Sequence, residues 1–495
     1  MIIKTARSIM IQGTCSNAGK SILTAALCRI FRQDGYRVAP FKAQNMALNS
    51  FVTANGLEMG RAQVVQAQAA GVPPDVRMNP ILLKPTSTMG SQVIINGVAR
   101  GNRTAQDYWS HKKRLRPIIQ AAYESLAADF DIVVIEGAGS PAEINLKQDD
   151  IVNMGMAQMA NAPVLLVGDI DRGGVFASLY GTVKLLEPDE QDRIRALVIN
   201  KFRGDIALLQ PGLTQLEKLI GKPVAGVIPY TEIHIDAEDS LSNPVFQRRE
   251  NAQANICIIA LPHLSNATDF TPLSQFPTVS VWYADKPEDC AGADLIIFPG
   301  TKNTMSSLRW LRETGIDKKI LQLHASGVPI FGICGGYQLM GQTISDPYGV
   351  EGGGEMSGLG LLPVDTVFQS EKTTVQTKGY FCELEGIFAP LSGLRTAGYE
   401  IHMGHTTYRT DAKPLQTIGE RADGCQFQNA YGTYQHGILD DQTIVETVLC
   451  ALLKTNGENP KLVKSNIVSP YDKLAATVRG ALDMSLIYRI LEGKA

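Results

Sequence analysis

Short, almost wholly apolar runs recur at residues 8–12, 38–41, 131–136, 162–167, 195–199 and 223–229. Most are followed by glycine, asparagine or a charged side chain. That is the pattern of buried strands whose carboxyl ends open onto a ligand. Helical spacing fills the intervals. Ile22, Leu23, Ala26, Leu27, Ile30 and Phe31 fall on one face before Gly35 stops the helix, and residues 113–130 and 151–161 predict two more. Strands alternating with helices predict an α/β fold built on a doubly wound, mostly parallel sheet. A second series of apolar runs (256–261, 278–282, 294–298 and 328–333) follows a polar, charged stretch that includes Asp236, Glu238, Arg248 and Arg249. The expected division is therefore a domain over 1–235, a linker over 236–251 and a second α/β domain over 252–495.

Composition narrows the classes. A chain of 495 residues exceeds one ordinary core, so two or three domains are expected. Hydrophobic content of 44% and charged content of 19% are those of a soluble globular protein. A formal net charge of −3 with no basic block argues against nucleic acid or an anionic membrane as the main partner. The 8 cysteines are scattered without a C-x-x-C pair, which suggests neither a disulfide framework nor a zinc site. No apolar run reaches membrane-spanning length and residues 1–12 lack a leader pattern, so a cytoplasmic location is expected. The sequence leaves the oligomeric state open.

Three stretches carry chemistry. The first is Gly332-Ile333-Cys334-Gly335-Gly336, where a cysteine sits between two glycines at the end of a predicted strand. That is the layout of a nucleophile elbow, a sharp strand-to-helix turn that holds the thiol clear of its backbone. The Gly335 amide then faces the site of attack, and Gly300, at another strand end, offers a second oxyanion donor. A thiol nucleophile needs an imidazole base, and His436, set among small residues, is the candidate. His402 reads as structural or substrate-facing. The position two residues after His436, where such sites often carry an acid, is Ile438. The third member is therefore missing or supplied from elsewhere, and the expectation is a Cys–His dyad with no carboxylate on the His436 ring.

The second stretch is the loop Gly13-Thr14-Cys15-Ser16-Asn17-Ala18-Gly19-Lys20-Ser21, between a strand and a helix. It is a phosphate-binding loop of variant spacing, with Thr14 where the strict pattern has glycine. Its amides cradle phosphates, Lys20 adds a charge, and the Ser21 hydroxyl suits Mg²⁺. Glu136, ending the strand over 131–136, is placed to reach that ion directly or through water. Asn200 can pin a purine edge with its amide. ATP with Mg²⁺ is the expected ligand. The third stretch, residues 42–50, is rich in amides at a strand's carboxyl end and reads equally as substrate contact or as turns. Asp150 reads either as a helix cap or as facing the reacting phosphate. Residues 349–360, rich in glycine, predict a mobile loop.

Two resemblances bring these together. Through Gly332, Cys334, Gly336 and His436, the second half resembles class I glutamine amidotransferase domains. Through residues 13–21 and Glu136-Gly137-Ala138-Gly139, the first half is similar to the dethiobiotin synthetase-like ATPase fold. Their fusion in this order, with residues 42–50, 136–146 and 432–437, resembles the cobyric acid synthase family over nearly the whole chain, a group that shares the departure at Ile438. The resemblance implies that ATP and L-glutamine drive amidation of a small corrinoid, converting the b, d, e and g carboxylates of adenosylcobyrinic acid a,c-diamide to amides. It also implies Lys42, Gln44, Asn45, Asn49 and Asp150 as corrinoid-side residues. Cobyrinic acid a,c-diamide synthase shares both domains, but residues 44–50 argue against it. A partitioning-type ATPase carries a lysine where this chain has Cys15. A glutaminase-like binding module without chemistry is disfavoured by the intact Cys334 and His436.

Overall fold

The computed structural model describes residues 6–87, 90–104, 106–108, 112–231, 248–455 and 469–494. The chain divides into two compact units, one formed by Met1–Ala47, Glu58–Glu238 and Ile467–Ala495, the other by Leu48–Leu57 and Asp239–Asn466.

The first unit is built on a six-stranded sheet in the order Val224–Pro229, Ile194–Phe202, Val164–Asp169, Arg7–Gly13, Ile132–Glu136 and Val38–Phe41, all parallel. Its inner strands are buried on both faces, which is why they read as unbroken apolar runs. Register brings the carboxyl ends together: Ile11 pairs with Glu136 and Gly13 with Val167. The phosphate loop and the Glu136 loop therefore leave the sheet side by side. The helix Lys20–Gln33 follows the loop as expected. Two predicted helices are shorter, at Arg116–Asp129 and Met154–Met159. A smaller sheet of Gln44–Met46, Ile81–Ser87, Gly90–Ile95 and Val98–Thr104 was not foreseen.

The expected boundary at 252–495 is corrected at its end. The helix Pro470–Ala481 lies in the first unit, with Leu474, Ala475 and Val478 in the same core cluster as Ile30 and Phe31. Asp472 accepts from both Arg29 Nε at 2.7 Å and Arg29 Nη2 at 3.0 Å. The Asp483 amide donates to the Ala225 carbonyl at 2.7 Å, and a Cβ on Gly226 would lie 2.1 Å from the Ala481 carbonyl oxygen. Of the expected linker, 236–247 lie outside the described residues. Arg248 stacks over Trp282 and Arg249 donates to the carbonyls of Phe276 and Val279, so these two belong with the second unit.

The second unit has a six-stranded sheet in the order Val279–Ala284, Ala254–Ile259, Leu295–Phe298, Ile330–Ile333, Ala430–Thr433 and Cys425–Phe427. Only its last pair is antiparallel. A long antiparallel hairpin, Val364–Phe381 with Arg395–Tyr408, belongs to this unit too. The glycine-rich stretch 349–360 is folded onto Asp346, which accepts from the amides of Val350, Glu351 and Gly353, and it contains the strand Gly354–Ser357. Among the described residues no helix is long and apolar enough to cross a membrane.

Candidate active site

The strand Ile330–Ile333 ends at Cys334, and a five-residue helix, Gly335–Leu339, starts immediately after it. Cys334 adopts φ 52° and ψ −110°, a left-handed conformation that side chains rarely take and that costs on the order of 1–2 kcal/mol. Its neighbours explain how the turn survives. A Cβ on Gly332 would come 2.6 Å from Met340 Sδ, and one on Gly336 would come 2.2 Å from the Phe298 carbonyl oxygen. Only glycine fits either side of the thiol. The strain is spent holding Sγ out of its own strand, where it is 3.7 Å from the Ile401 carbonyl oxygen.

Sheet register delivers the base. Ile333 pairs with Thr433 in the parallel ladder, and the Cys334 amide donates to the Thr433 carbonyl at 2.8 Å. Three residues later comes His436, 1% exposed and close enough to the Cys334 sulfur to feel its charge. The backbone of His436 is bridged both ways to Tyr399, at 3.1 and 2.8 Å, and the two rings stack 5.4 Å apart. Gly300 lies against the same imidazole, since a Cβ there would sit 2.9 Å from His436 Cε1. Gly335 abuts the Thr301 amide in the same way, at 2.9 Å. Cys334, His436, Gly300 and Gly335 are thus brought together.

The expected dyad is overturned. His436 Nδ1 lies 2.7 Å from Asp269 Oδ2, and Asp269 Oδ1 accepts from the Gly437 amide at 3.2 Å. Asp269 is 3% exposed and stands 167 residues before the histidine, so no local spacing announced it. Ile438, 1% exposed, packs into the core instead. The only sequence signal was an acid in the polar stretch just past a strand's carboxyl end. Burial pushes the His436 imidazole down, but the Asp269 carboxylate and the Cys334 sulfur beside it more than offset this. The ring is pushed up to about 10. A thiol facing an imidazole that is itself held by a carboxylate is equipped for nucleophilic attack on an amide. His402 stands apart from that line. Its Nε2 pairs with Glu400 at 3.2 Å and its ring stacks on Tyr434.

In the first unit, Lys20 Nζ donates to the carbonyls of Cys15 at 2.9 Å and Gly139 at 3.1 Å, within the phosphate loop and the Glu136 loop respectively. Gly19 takes φ 101°, and a Cβ there would strike Asn200 Nδ2 at 1.9 Å. That Asn200 amide donates to the Ala18 carbonyl at 2.9 Å, and Lys201 Nζ donates to the Asn17 carbonyl at 2.7 Å and to Asp169 at 2.8 Å. Asn200 therefore braces the phosphate loop through its Nδ2 donor. The Thr14 amide continues the ladder to Val167, so the variant position remains in the sheet.

Glu136 is 1% exposed and fully engaged. Oε1 accepts from Ser21 Oγ at 2.7 Å and Lys42 Nζ at 3.0 Å, and Oε2 from Gln66 Nε2 at 2.5 Å. Burial pushes its carboxyl up, but Lys42, Gln66 and Ser21 more than compensate and leave it below the usual carboxylate range. Ser21 and Glu136 are hard oxygen donors of the kind Mg²⁺ takes. Among the described residues no cluster of three His, Cys, Asp or Glu groups is placed to cage a metal. A Mg²⁺ on one or two protein oxygens, completed by water and phosphate, fits that donor set.

Beside the Glu136 loop opens a cavity of about 540 Å³, lined by Gln44, Tyr108, Lys112, Ser140, Lys147 and Asp150 among others. Gln44 Oε1 accepts from the Tyr108 hydroxyl at 2.5 Å. Asp150 faces the cavity and is also a cap, accepting from the amides of Val152, Asn153 and Gly155. Lys42 is held by Glu136. Asn45 is buried and donates to Gln63 at 3.0 Å. Asn49 is buried in the second unit, where its Oδ1 accepts from the Asn266 amide at 2.8 Å. Of the five residues expected on the corrinoid side, Gln44 and Asp150 line the cavity.

Residues 9–245 match the family described as the CobQ/CobB/MinD/ParA nucleotide binding domain, and residues 255–444 the CobB/CobQ-like glutamine amidotransferase domain. The chain is 53% identical to a protein named cobyric acid synthase from Ruminiclostridium cellulolyticum, over 98% of this chain and 97% of that one. It is 52% identical to one of the same name from Lachnoclostridium phytofermentans, over 98% and 99%. Among solved structures, a glutamine amidotransferase aligns with TM-score 0.31 and 16% identity, covering 40% of this chain and 98% of its own. A nucleotide-binding domain and an amidotransferase domain in one polypeptide, matched end to end by such relatives, show that the chain belongs to the cobyric acid synthase family, ATP-dependent glutamine amidotransferases of cobalamin biosynthesis.

Proposed function

We propose that this chain converts the b, d, e and g carboxylates of adenosylcobyrinic acid a,c-diamide to amides, with glutamine as nitrogen donor and ATP as activator. The observation that carries this reading is the line Cys334, His436, Asp269 in the same polypeptide as a phosphate loop joined to a buried glutamate. In the glutaminase half, Asp269 holds Nδ1 of His436, so the other ring nitrogen serves Cys334. The thiolate attacks the side-chain amide carbon of glutamine, and the amides of Gly300 and Gly335 receive the developing oxyanion. His436 gives its proton to the departing nitrogen, the C–N bond breaks, and ammonia leaves behind a thioester. Water, deprotonated by His436, then hydrolyses the thioester to glutamate.

In the ligase half, the loop from Gly13 to Ser21 binds ATP, with Lys20 exchanging the Cys15 and Gly139 carbonyls for phosphate oxygens. Ser21, backed by Glu136, would hold Mg²⁺, which would neutralise charge on the phosphates. The cavity lined by Gln44, Lys112 and Asp150 receives a carboxylate-bearing arm of the corrinoid. The carboxylate oxygen attacks the γ-phosphorus, ADP leaves, and ammonia displaces phosphate from the acyl phosphate to give the amide. Mass spectrometry of that corrinoid and, separately, of its unamidated precursor, each incubated with ATP, Mg²⁺ and glutamine, tests the assignment. Four successive amidations are expected. A product amidated only at the a and c positions of an unamidated precursor would assign the chain to the related diamide synthase instead.

A further inference from the structure

Residues Leu48–Leu57 belong to the glutaminase unit although the chain on either side of them belongs to the other. Their contacts converge on the catalytic line from two directions. Asn49 Oδ1 accepts from the Asn266 amide at 2.8 Å, and Asn266 Oδ1 accepts in return from the Ser50 amide at 3.0 Å. Asn266, in the left-handed conformation at φ 55°, begins the turn Ala267–Gln275 that carries Asp269, and its carbonyl receives the Asp269 amide at 3.0 Å. On the opposite side, the Ser50 carbonyl accepts from the Tyr399 hydroxyl at 3.1 Å, and Phe51 packs edge-on against the same ring. Tyr399 is the residue stacked on His436 and bridged to its backbone. Asn49 and Asn266 are 2% and 3% exposed, so neither amide has solvent as an alternative partner.

We infer that Asn49 is a positioning residue for the glutaminase, fixing the turn that aims Asp269 at His436, and that it does not contact the corrinoid. This rests on the reading of Cys334, His436 and Asp269 as the glutaminase centre. Two buried reciprocal hydrogen bonds and one stacked ring tie a ten-residue excursion of chain to both ends of the Asp269–His436 pair. Losing either bond frees the turn and lengthens the pair's contact without touching the thiol.

The test uses the full-length enzyme and measures glutamate release, ammonium-supported amidation and the pH profile of the glutaminase. Asn49→Ala removes the acceptor. Asn266→Gly removes the partner's side chain and keeps a residue that tolerates positive φ. Each is expected to lower glutaminase kcat/KM about 10- to 100-fold, as loss of an orienting partner does elsewhere. The double variant should be no worse than the poorer single, because each breaks one of two reciprocal bonds that hold the same turn. The alkaline limb of the profile should move to lower pH in all three, and ammonium-supported amidation should stay at the parent rate. Intact glutaminase with reduced ammonium-supported amidation would overturn the inference and return Asn49 to the corrinoid side. So would an equal loss of both activities with an unmoved pH profile, which marks a merely structural role. Cys334→Ala, run alongside, separates the two claims: if it retained glutaminase activity, the reading of the thiol would fail independently of Asn49.

Discussion

The thiol site and the phosphate site satisfy their charges in opposite ways. In the first, the imidazole has a carboxylate on one side and the sulfur on the other, both buried, so each charge is met by another side chain. In the second, Lys20 Nζ donates to two neutral carbonyls, one from each of the loops around it. A phosphate can replace carbonyls at small cost, because no charge is left stranded when they are released. His436 cannot exchange Asp269 for anything without stranding a buried carboxylate. The lesson is that one half is preorganised by fixed charge pairs and the other by a fixed backbone cradle around an exchangeable cation. Lys42 with Glu136 is the exception at the phosphate site, a buried pair that must stay intact.

The comparison breaks hardest at the nucleophile. Cys334→Ala should lower glutamine-dependent amidation by about 10⁴-fold or more while ammonium salts still support turnover. Parallel assays with the two nitrogen sources check this, and loss of both at unchanged folding contradicts it.

Asp269→Asn should cost the glutaminase roughly 10²- to 10⁴-fold in kcat. It should also change the pH dependence of stability. His436 in the folded chain holds its proton above the ordinary 6.5, up to about 10. Its contribution is therefore complete below pH 6.5 and is lost as pH rises through about 10. Denaturant midpoints across that window should fall in the parent and flatten in the variant.

Lys20→Ala should reduce ATP-dependent turnover about 10²- to 10³-fold with either nitrogen source, and leave glutamate release by the thiol site in place. Steady-state ADP formation reads the effect. Glu136→Gln should be felt first as stability, about 3–5 kcal/mol, because the Lys42 ammonium loses its buried counter-charge. Urea unfolding measures it. Acid makes the same point in the parent. With its carboxyl held below the usual range, Glu136 stabilises the fold above that range and ceases to as pH falls through its lowered value.

Much of both sheets was legible because inner parallel strands are buried on both faces and show as unbroken apolar runs. The elbow and the phosphate loop were legible for a related reason. Gly19, Gly332 and Gly336 are demanded by close approach or by φ, so the need is written in the residue type. Asp269 was not, since an acid in a polar turn looks like any other until the register of Ile330–Ile333 on Ala430–Thr433 sets the histidine. The helix Pro470–Ala481 shows an apolar stripe, but a stripe does not say which core it covers. Asn49 and Asn200 were hard to place for one shared reason. An amide side chain offers a donor and an acceptor, and sequence cannot tell a ligand from the chain's own backbone as their partner.

The central claim is that the nitrogen released at Cys334 is the nitrogen installed at the ATP site. Glutamine labelled at its amide nitrogen, supplied with ATP, Mg²⁺ and the corrinoid in the presence of unlabelled ammonium, tests it directly. The account predicts label in every new amide, one glutamate released for each, and complete loss of label with Cys334→Ala while unlabelled product still forms. New amides carrying only unlabelled nitrogen from the parent enzyme would contradict it.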